Sequence, residues 1–431
     1  MAPREKVTFW IAAIVVATTR FLAIAKTLWD WDEALFTLAL RHYDVVAHHP
    51  HPPGFPLFIG AAKLLTLTGI DPFRALQTIA VVASLFVFPA AFFLARELRA
   101  PFFVAFASAL LLAFSPNVWF FGGTALSDVP SMVLSLVACA LLLRGVRSPV
   151  ALVAGAIVLA IAVGIRPQNL LIGFVPALMA CRRWRAALIG AAIAIVIVVA
   201  SYATAARLSG GWASYRGALA RHEQYIRTTD SFLSPIRPPL WKVADDFFFW
   251  PYRVPPLNIA IAVLIAIALV RFRAHSRLAI AIFGPFLIFA WLYLDYHSTS
   301  RFSIAYMPLF ALLAADGLEA LRRFRAIALA AMVVFTFVWM LEPLRVVRTT
   351  DSPPVAAATW IREHTHAAVR VDPRMAPFAD LLLEGYEFRP DAAVSYREGR
   401  GARTFTRERA RLSRALTRPR YFEVAVDGPS S

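Results

Sequence analysis

Apolar residues come in long runs separated by short charged connections. The runs occupy residues 7–25, 75–95, 101–121, 129–143, 150–165, 167–180 and 186–206 and, after a long polar stretch, 254–270, 278–294, 302–315 and 326–341. Runs of this length predict membrane-spanning helices, because a helix rises about 1.5 Å per residue and the hydrocarbon core takes ~20 residues to cross. Several runs are shorter, which is tolerable where one end borders a wet cavity. The pattern predicts an all-α polytopic membrane protein with eleven transmembrane helices. Residues 55–68 are moderately apolar too, but a span there would invert every later connection. They are expected to form a helix lying in, or re-entering, the membrane interface.

The last part of the chain breaks the pattern. Trp360-Ile361-Arg362-Glu363-His364 reads as the end of an amphipathic helix and residues 421–426 as a short strand. Residues 1–344 are therefore expected to form the membrane domain and 345–431 a small α/β appendage.

Charge sets the expected orientation. Arg4, Lys6, Arg96, Arg99, Arg144, Arg147, Arg182, Arg183, Arg185, Arg271, Arg273, Arg277, Arg322, Arg323 and Arg325 fall in alternate short connections, whereas the opposite short connections carry only Arg166 and Arg301. Basic connections stay cytoplasmic. The expectation is a bacterial inner-membrane protein with its N-terminus inside, its C-terminus periplasmic, and loops 26–74 and 207–253 outside.

Composition agrees. Of 431 residues, 59% are hydrophobic and 16% charged, and the mean hydropathy is +0.62, against about 25% charged residues in a soluble domain. A net charge of +17 is also found in nucleic-acid binders, but basic loops account for it here, and no nucleic-acid partner is expected. Cys139 and Cys181 lie far apart and read as packing residues. The first apolar run lacks a small-residue cleavage site and is expected to be a retained span.

In so apolar a chain, ionisable residues beside the spans are the informative ones. Trp29-Asp30-Trp31-Asp32-Glu33 places three carboxylates within four positions just after the first span. Like charges so close raise one another's pKa, which suits a general base, although acids also favour helix N-termini. His48-His49-Pro50-His51-Pro52-Pro53-Gly54-Phe55-Pro56 follows. Its histidines could ligate a divalent metal, or the prolines could form a rigid turn that only aims side chains. Asp128 stands at the mouth of a span, where Asp followed closely by Pro is also an ordinary helix start. Arg74, Arg166 and Arg301 sit at span ends, where a guanidinium could grip an anion bidentately or merely snorkel to the interface. Asp30, His49, His51, Gln168 and His297 complete the candidate substrate contacts.

Taken in order, these motifs resemble the GT-C membrane glycosyltransferases that use polyprenyl-phosphate sugars, especially protein O-mannosyltransferases and lipid A aminoarabinose transferases. Asp32-Glu33 is similar to the family's acidic pair in the first outer loop, and His51-Pro52-Pro53-Gly54-Phe55-Pro56 to its H/K-P-P-L segment. Arg74 stands where the mannosyltransferases carry an arginine, and Leu126-Ser127-Asp128-Val129-Pro130 resembles a second acidic motif. Arg301-Phe302-Ser303-Ile304-Ala305-Tyr306-Met307-Pro308 resembles the R-Y-x-x-P segment, and Gly164-Ile165-Arg166-Pro167-Gln168 is similar to a segment of related bacterial sugar transferases. The chain departs from the pattern at Gly54, where Leu is usual, at Phe302, where Tyr is usual, and in its small tail. The resemblance implies a GT-C fold and transfer of a sugar from a polyprenyl-phosphate donor to a lipid, glycan or protein acceptor, with inversion at the anomeric carbon. It implies Asp32 as the base, Glu33 and Asp128 as orienting acids, and Arg74, Arg166 and Arg301 as phosphate ligands. A transporter or lipid flippase is the alternative. It predicts paired halves, and no internal repeat is present.

Overall fold

The computed structural model describes residues 1–406 and 423–428. Every run expected to span carries helix. α1 (Pro3–Arg20) leads into the first polar loop, where α2 (Trp31–Arg41) and α3 (Pro56–Thr66) flank the proline-rich turn. A helical block follows: α4 (Pro72–Leu85), α5 (Val87–Glu97), α6 (Phe102–Ala113), α7 (Pro116–Phe121), α8 (Asp128–Gly145), α9 (Pro149–Ile165), α10 (Leu170–Ala180) and α11 (Trp184–Leu208). The second polar loop folds as α12 (Trp212–Tyr225) and α13 (Leu240–Ala244), each continued by a π turn. Then come α14 (Pro255–Arg271), α15 (Ala274–Tyr293), the short α16 (Thr299–Phe302), α17 (Met307–Glu319) and α18 (Arg325–Thr349).

Among the described residues five helical segments are long and apolar enough to cross a bilayer, or seven if each of two bent pairs makes one span. Two breaks in the expected spans have proline explanations. The expected span 75–95 breaks by 44° between α4 and α5, because Pro89 has no N–H to offer the Leu85 carbonyl and its ring crowds that oxygen. The expected span 101–121 is two helices, α6 and α7, because Pro116 ends one and serves as the first residue of the next. These are corrections to the reading of both runs as continuous.

Beyond α18 the chain forms α19 (Pro353–His364) and α20 (Ala376–Leu382) against a sheet of β1 (Val369–Val371), β2 (Val394–Glu398), β3 (Arg403–Thr406) and β4 (Glu423–Asp427) in the order β1-β2-β4-β3. β1 and β2 are parallel and the other pairs antiparallel. The expected strand at residues 421–426 is β4; Tyr421 and Phe422 lie outside the described residues. Tyr396 donates its hydroxyl to the Pro354 carbonyl at 2.9 Å, fixing sheet to helix. Ion pairs Lys26–Asp351 and Arg41–Glu384, at 2.9 and 2.8 Å, join this unit to the first polar loop.

The fold thus brings four segments to one place: the start of α2, the start of α8, the α9–α10 junction and α16. An acid and amide network surrounds them. Asn117 of α7 donates to the Ser300 carbonyl at 3.0 Å and to Ser303 Oγ at 2.9 Å, and Arg253 donates to Thr299 Oγ1 at 2.5 Å and Asp246 at 2.9 Å. α16 is therefore braced from both sides.

Candidate active site

Asp30 is the N-cap of α2, its Oδ1 accepting from the Asp32 N–H at 3.0 Å, and Glu33 closes the capping box. Glu33 Oε2 accepts from the N–H groups of Trp29 and Asp30 at 2.5 and 2.8 Å, and Oε1 accepts from Ala125 N–H at 2.7 Å. The side chain is wholly buried. Burial pushes its carboxyl up to about 7 against the opposing pull of the three backbone donors. Glu33 thereby ties the start of α2 to the turn before α8, and with both oxygens held by backbone it is a bracing group in this geometry.

Asp128 opens α8. Its Oδ2 receives Arg166 Nη2 and Arg301 Nε, each at 2.9 Å. Arg301 Nη1 also reaches Asp30 Oδ1 at 3.1 Å and Asp32 Oδ2 at 2.6 Å. Arg166 Nε donates to Ser127 Oγ at 2.8 Å. One guanidinium thus gathers three carboxylates that lie up to about a hundred positions apart in sequence. The ion-paired side chains are buried, with Arg301 2% exposed, whereas Asp32 and His51 keep 17% and 20% of their side-chain surface. The cluster opens outward at those two residues.

Buried charges persist only when paired and fully hydrogen-bonded. Here the pairing is incomplete. Arg301 Nη2 is buried and has no hydrogen-bond partner among the described residues, nor does His51 Nδ1, which lies 3.5 Å from Asp32 Oδ1 outside hydrogen-bond geometry. A buried donor left unsatisfied costs ~1–3 kcal/mol, and such sites call for a functional explanation. Desolvation lowers His51 to about 4, with Asp32 opposing that shift, so the ring is neutral near pH 7. Arg166, Arg301, Asp128 and Asn169 line a cavity of about 10 Å³. That space suits about one water. A larger guest therefore requires the ion pairs to rearrange.

The proline-rich turn aims aromatic rings at this cluster. Phe55 has φ 49°, a left-handed conformation unfavourable for a bulky residue. Its ring lies under the Arg166 guanidinium at 5.5 Å and against His51 at 4.8 Å. Gly54, at φ 103°, accepts a hydrogen bond from Tyr43 through its carbonyl, and a side chain there would strike the Tyr43 hydroxyl. The departure from Leu at this position thus has a backbone cause.

Other expected site residues fall elsewhere. Arg74 donates to the Ala25 and Lys26 carbonyls at 3.0 and 2.8 Å and to Gln77 Oε1 at 2.5 Å, so it holds the linker between α1 and α2 instead of pairing with the acids. His49 exchanges backbone bonds with Asp44 and is half-buried. His297 is exposed, its ring 4.1 Å from Tyr296. Gln168 is half-buried in a 3-10 turn beside Arg166. Among the described residues no group of three His, Cys, Asp or Glu side chains is placed to hold a metal ion. Sequence reasoning missed Ser127 as a partner of Arg166, Arg253 as the brace of α16, and His222 of α12, whose ring lies 5.9 Å from that of His51. Ser127 and Arg253 carried only proximity to named motifs, and His222 sat unremarked in a polar loop.

A polytopic bundle of apolar helices, with a buried acid–arginine cluster at one end and a small α/β unit packed beside it, defines the class: a multi-pass membrane protein. No family model matches the chain, and no curated protein is similar to it. Among solved structures, ArnT from Cupriavidus metallidurans bound to undecaprenyl phosphate is similar over 100% of both chains, with a TM-score of 0.52 and 14% identity. The Archaeoglobus fulgidus oligosaccharyltransferase AglB, in complex with an inhibitory peptide and a dolichol-phosphate, matches with a TM-score of 0.50 and 13% identity over 90% of this chain. The chain spans 60% of the length of that archaeal enzyme. At these identities the likeness is one of fold.

Proposed function

We propose that the chain is an integral-membrane glycosyltransferase that moves a sugar from a polyprenyl-phosphate donor to a hydroxyl of a lipid, glycan or protein acceptor on the periplasmic face of a bacterial inner membrane. The observation that carries this reading is the convergence of Asp30, Asp32 and Asp128 on Arg301, with Arg166 alongside and a spare buried donor on Arg301 Nη2. The solved structures of the same fold that hold undecaprenyl phosphate and dolichol-phosphate support a lipid-linked donor.

The chemistry follows from the geometry. A sugar leaves its phosphate when positive charge meets the departing oxygens and a base takes the acceptor proton. Asp32, the most accessible of the three acids, is the base. Arg166 and Arg301 neutralise the phosphate, exchanging a carboxylate partner for it as the cavity opens. Asp128 holds the two guanidiniums together through one oxygen, and Glu33 fixes the loop from which Asp30 and Asp32 project. With one carboxylate activating the acceptor for in-line displacement, the anomeric carbon inverts. The described part of residues 345–431 packs as an appendage against the first polar loop, and Arg74 serves by anchoring that loop.

Membranes containing Asp32→Asn, given a radiolabelled polyprenyl-phosphate sugar, test the reading. Removing a general base costs about 10²–10⁴ in rate. Transfer is expected to fall by that factor at unchanged protein level. Undiminished transfer overturns the assignment of the base, and solute flux without any donor would replace the enzyme with a transporter.

A further inference from the structure

The cluster is short of positive charge. Three carboxylates, from Asp30, Asp32 and Asp128, face two guanidiniums, from Arg166 and Arg301, which leaves one net negative charge where an anionic headgroup is to bind. At separations of a few ångströms inside a protein, adding a phosphate to that surplus is strongly unfavourable unless another cation arrives with it. Two of the nearby cations are committed: Arg253 is paired with Asp246, and Arg74 donates to backbone carbonyls.

Two imidazoles stand at the opening. His51 lies beside Asp32, and its buried Nδ1 has no hydrogen-bond partner among the described residues. His222, half-buried on α12, faces it with ring centroids 5.9 Å apart. α12 is not a loose neighbour. Tyr215 donates its hydroxyl to the Pro53 carbonyl at 2.8 Å, Ser209 Oγ accepts from Val45 N–H at 2.9 Å, and Val45 packs with Ala205, Ala206, Tyr215 and Ala218. The proline-rich turn and the second polar loop are one unit, and that unit carries His222 to the mouth.

We propose that His222 is a binding residue for a phosphate group, supplied to the cluster by the second polar loop, and that the His51–His222 pair takes up a proton as that group enters. This rests on the donor reading above and adds a residue and a linked proton to it. The groups facing the pair are Asp32 of α2, His48 of the proline-rich turn with Arg221 of α12 beside it, Tyr225 of α12, and Arg166 and Arg301 behind His51. In the unliganded state desolvation lowers both imidazoles, so each is neutral and the surplus negative charge stands uncompensated. An arriving phosphate reverses that balance, since an anion stabilises the charged imidazolium. The proton comes from solvent or buffer acid, whose bond to it breaks as an N–H bond forms on an imidazole nitrogen, and no bond between heavy atoms changes.

Calorimetric titration of the full chain in lipid nanodiscs with undecaprenyl phosphate, in two buffers of different ionisation enthalpy, reads the proton directly. Wild type is expected to take up protons on binding and to lose affinity as pH rises from 6 to 8. His222→Gln is expected to bind about tenfold more weakly at pH 6.5 with the proton uptake reduced, and His222→Lys to retain affinity with no uptake from that position. Inorganic phosphate in place of the lipid separates sources: competition means that the headgroup alone is recognised, and its absence means that the isoprenoid chain is needed to seat it. If wild type binds but His222→Gln matches it in both affinity and uptake, the inference fails while the donor reading stands. If wild type binds no undecaprenyl phosphate at all, it is the donor reading that fails.

Discussion

At the scale of single residues, the site is defined by which carboxylates are tied down and which are not. Asp32 retains contact with solvent, whereas Glu33, its neighbour, spends both oxygens on backbone N–H groups. That difference gives Glu33 a signature in stability. Its carboxyl is raised from 4.5 to about 7 in the folded chain, so the folded state keeps a proton that the unfolded chain releases. The stabilisation is fully present below pH 4.5, declines as pH rises toward 7 and is level above it, an expected loss of about 3 kcal/mol across the window at 1.36 kcal/mol per unit. Thermal unfolding of the purified protein between pH 4 and 8 should show this slope in wild type. Glu33→Gln should flatten it, while its amide lowers the overall stability by ~1–3 kcal/mol by confronting a backbone donor with another donor. An identical slope in both proteins would remove Glu33 as its source. The acidic pair was visible in the sequence because charges beside membrane spans are costly. The division of labour within it was not, since the type of a residue does not disclose which backbone groups lie 2.5–2.8 Å away.

At the scale of elements, the active geometry depends on short pieces held by others. α16 is only four residues long and cannot hold Arg301 by its own helical bonds. Asn117 and Arg253 supply the missing constraint from α7 and the second polar loop. Arg253→Gln should therefore reduce turnover about tenfold, the equivalent of ~1.4 kcal/mol in the barrier, with donor affinity changed much less, because a small misplacement of Arg301 weakens the transition state more than the ground state. Steady-state kinetics would expose the split; a pure rise in KM would count against bracing as the role. Periodicity and run length located these helices, but Pro89 and Pro116 bent or divided two of them, and that information was present in the chain as proline chemistry. Arg253 escaped notice because at the edge of a polar loop an arginine usually meets water.

At the scale of the whole molecule, the remaining question is which way the bundle faces. The proposal that the acidic cluster faces the periplasm rests on the arginine bias, and two native cysteines make it testable without rebuilding the protein. Cys139 is buried in α8, whereas Cys181 is exposed in the basic turn before α11, beside Arg182, Arg183 and Arg185. A membrane-impermeant maleimide should leave Cys181 unlabelled in intact spheroplasts and label it in inverted vesicles, with Cys139 silent in both. His297→Cys, at an exposed position four residues before Arg301, should behave in the opposite way. The two sites together guard against a false reading from poor access, since each preparation must label one of them. Labelling of Cys181 from outside would invert the bundle. The cluster of Asp32, Asp128, Arg166 and Arg301 would then open to the cytoplasm, where nucleotide sugars are at hand and a lipid-phosphate donor loses its topological rationale.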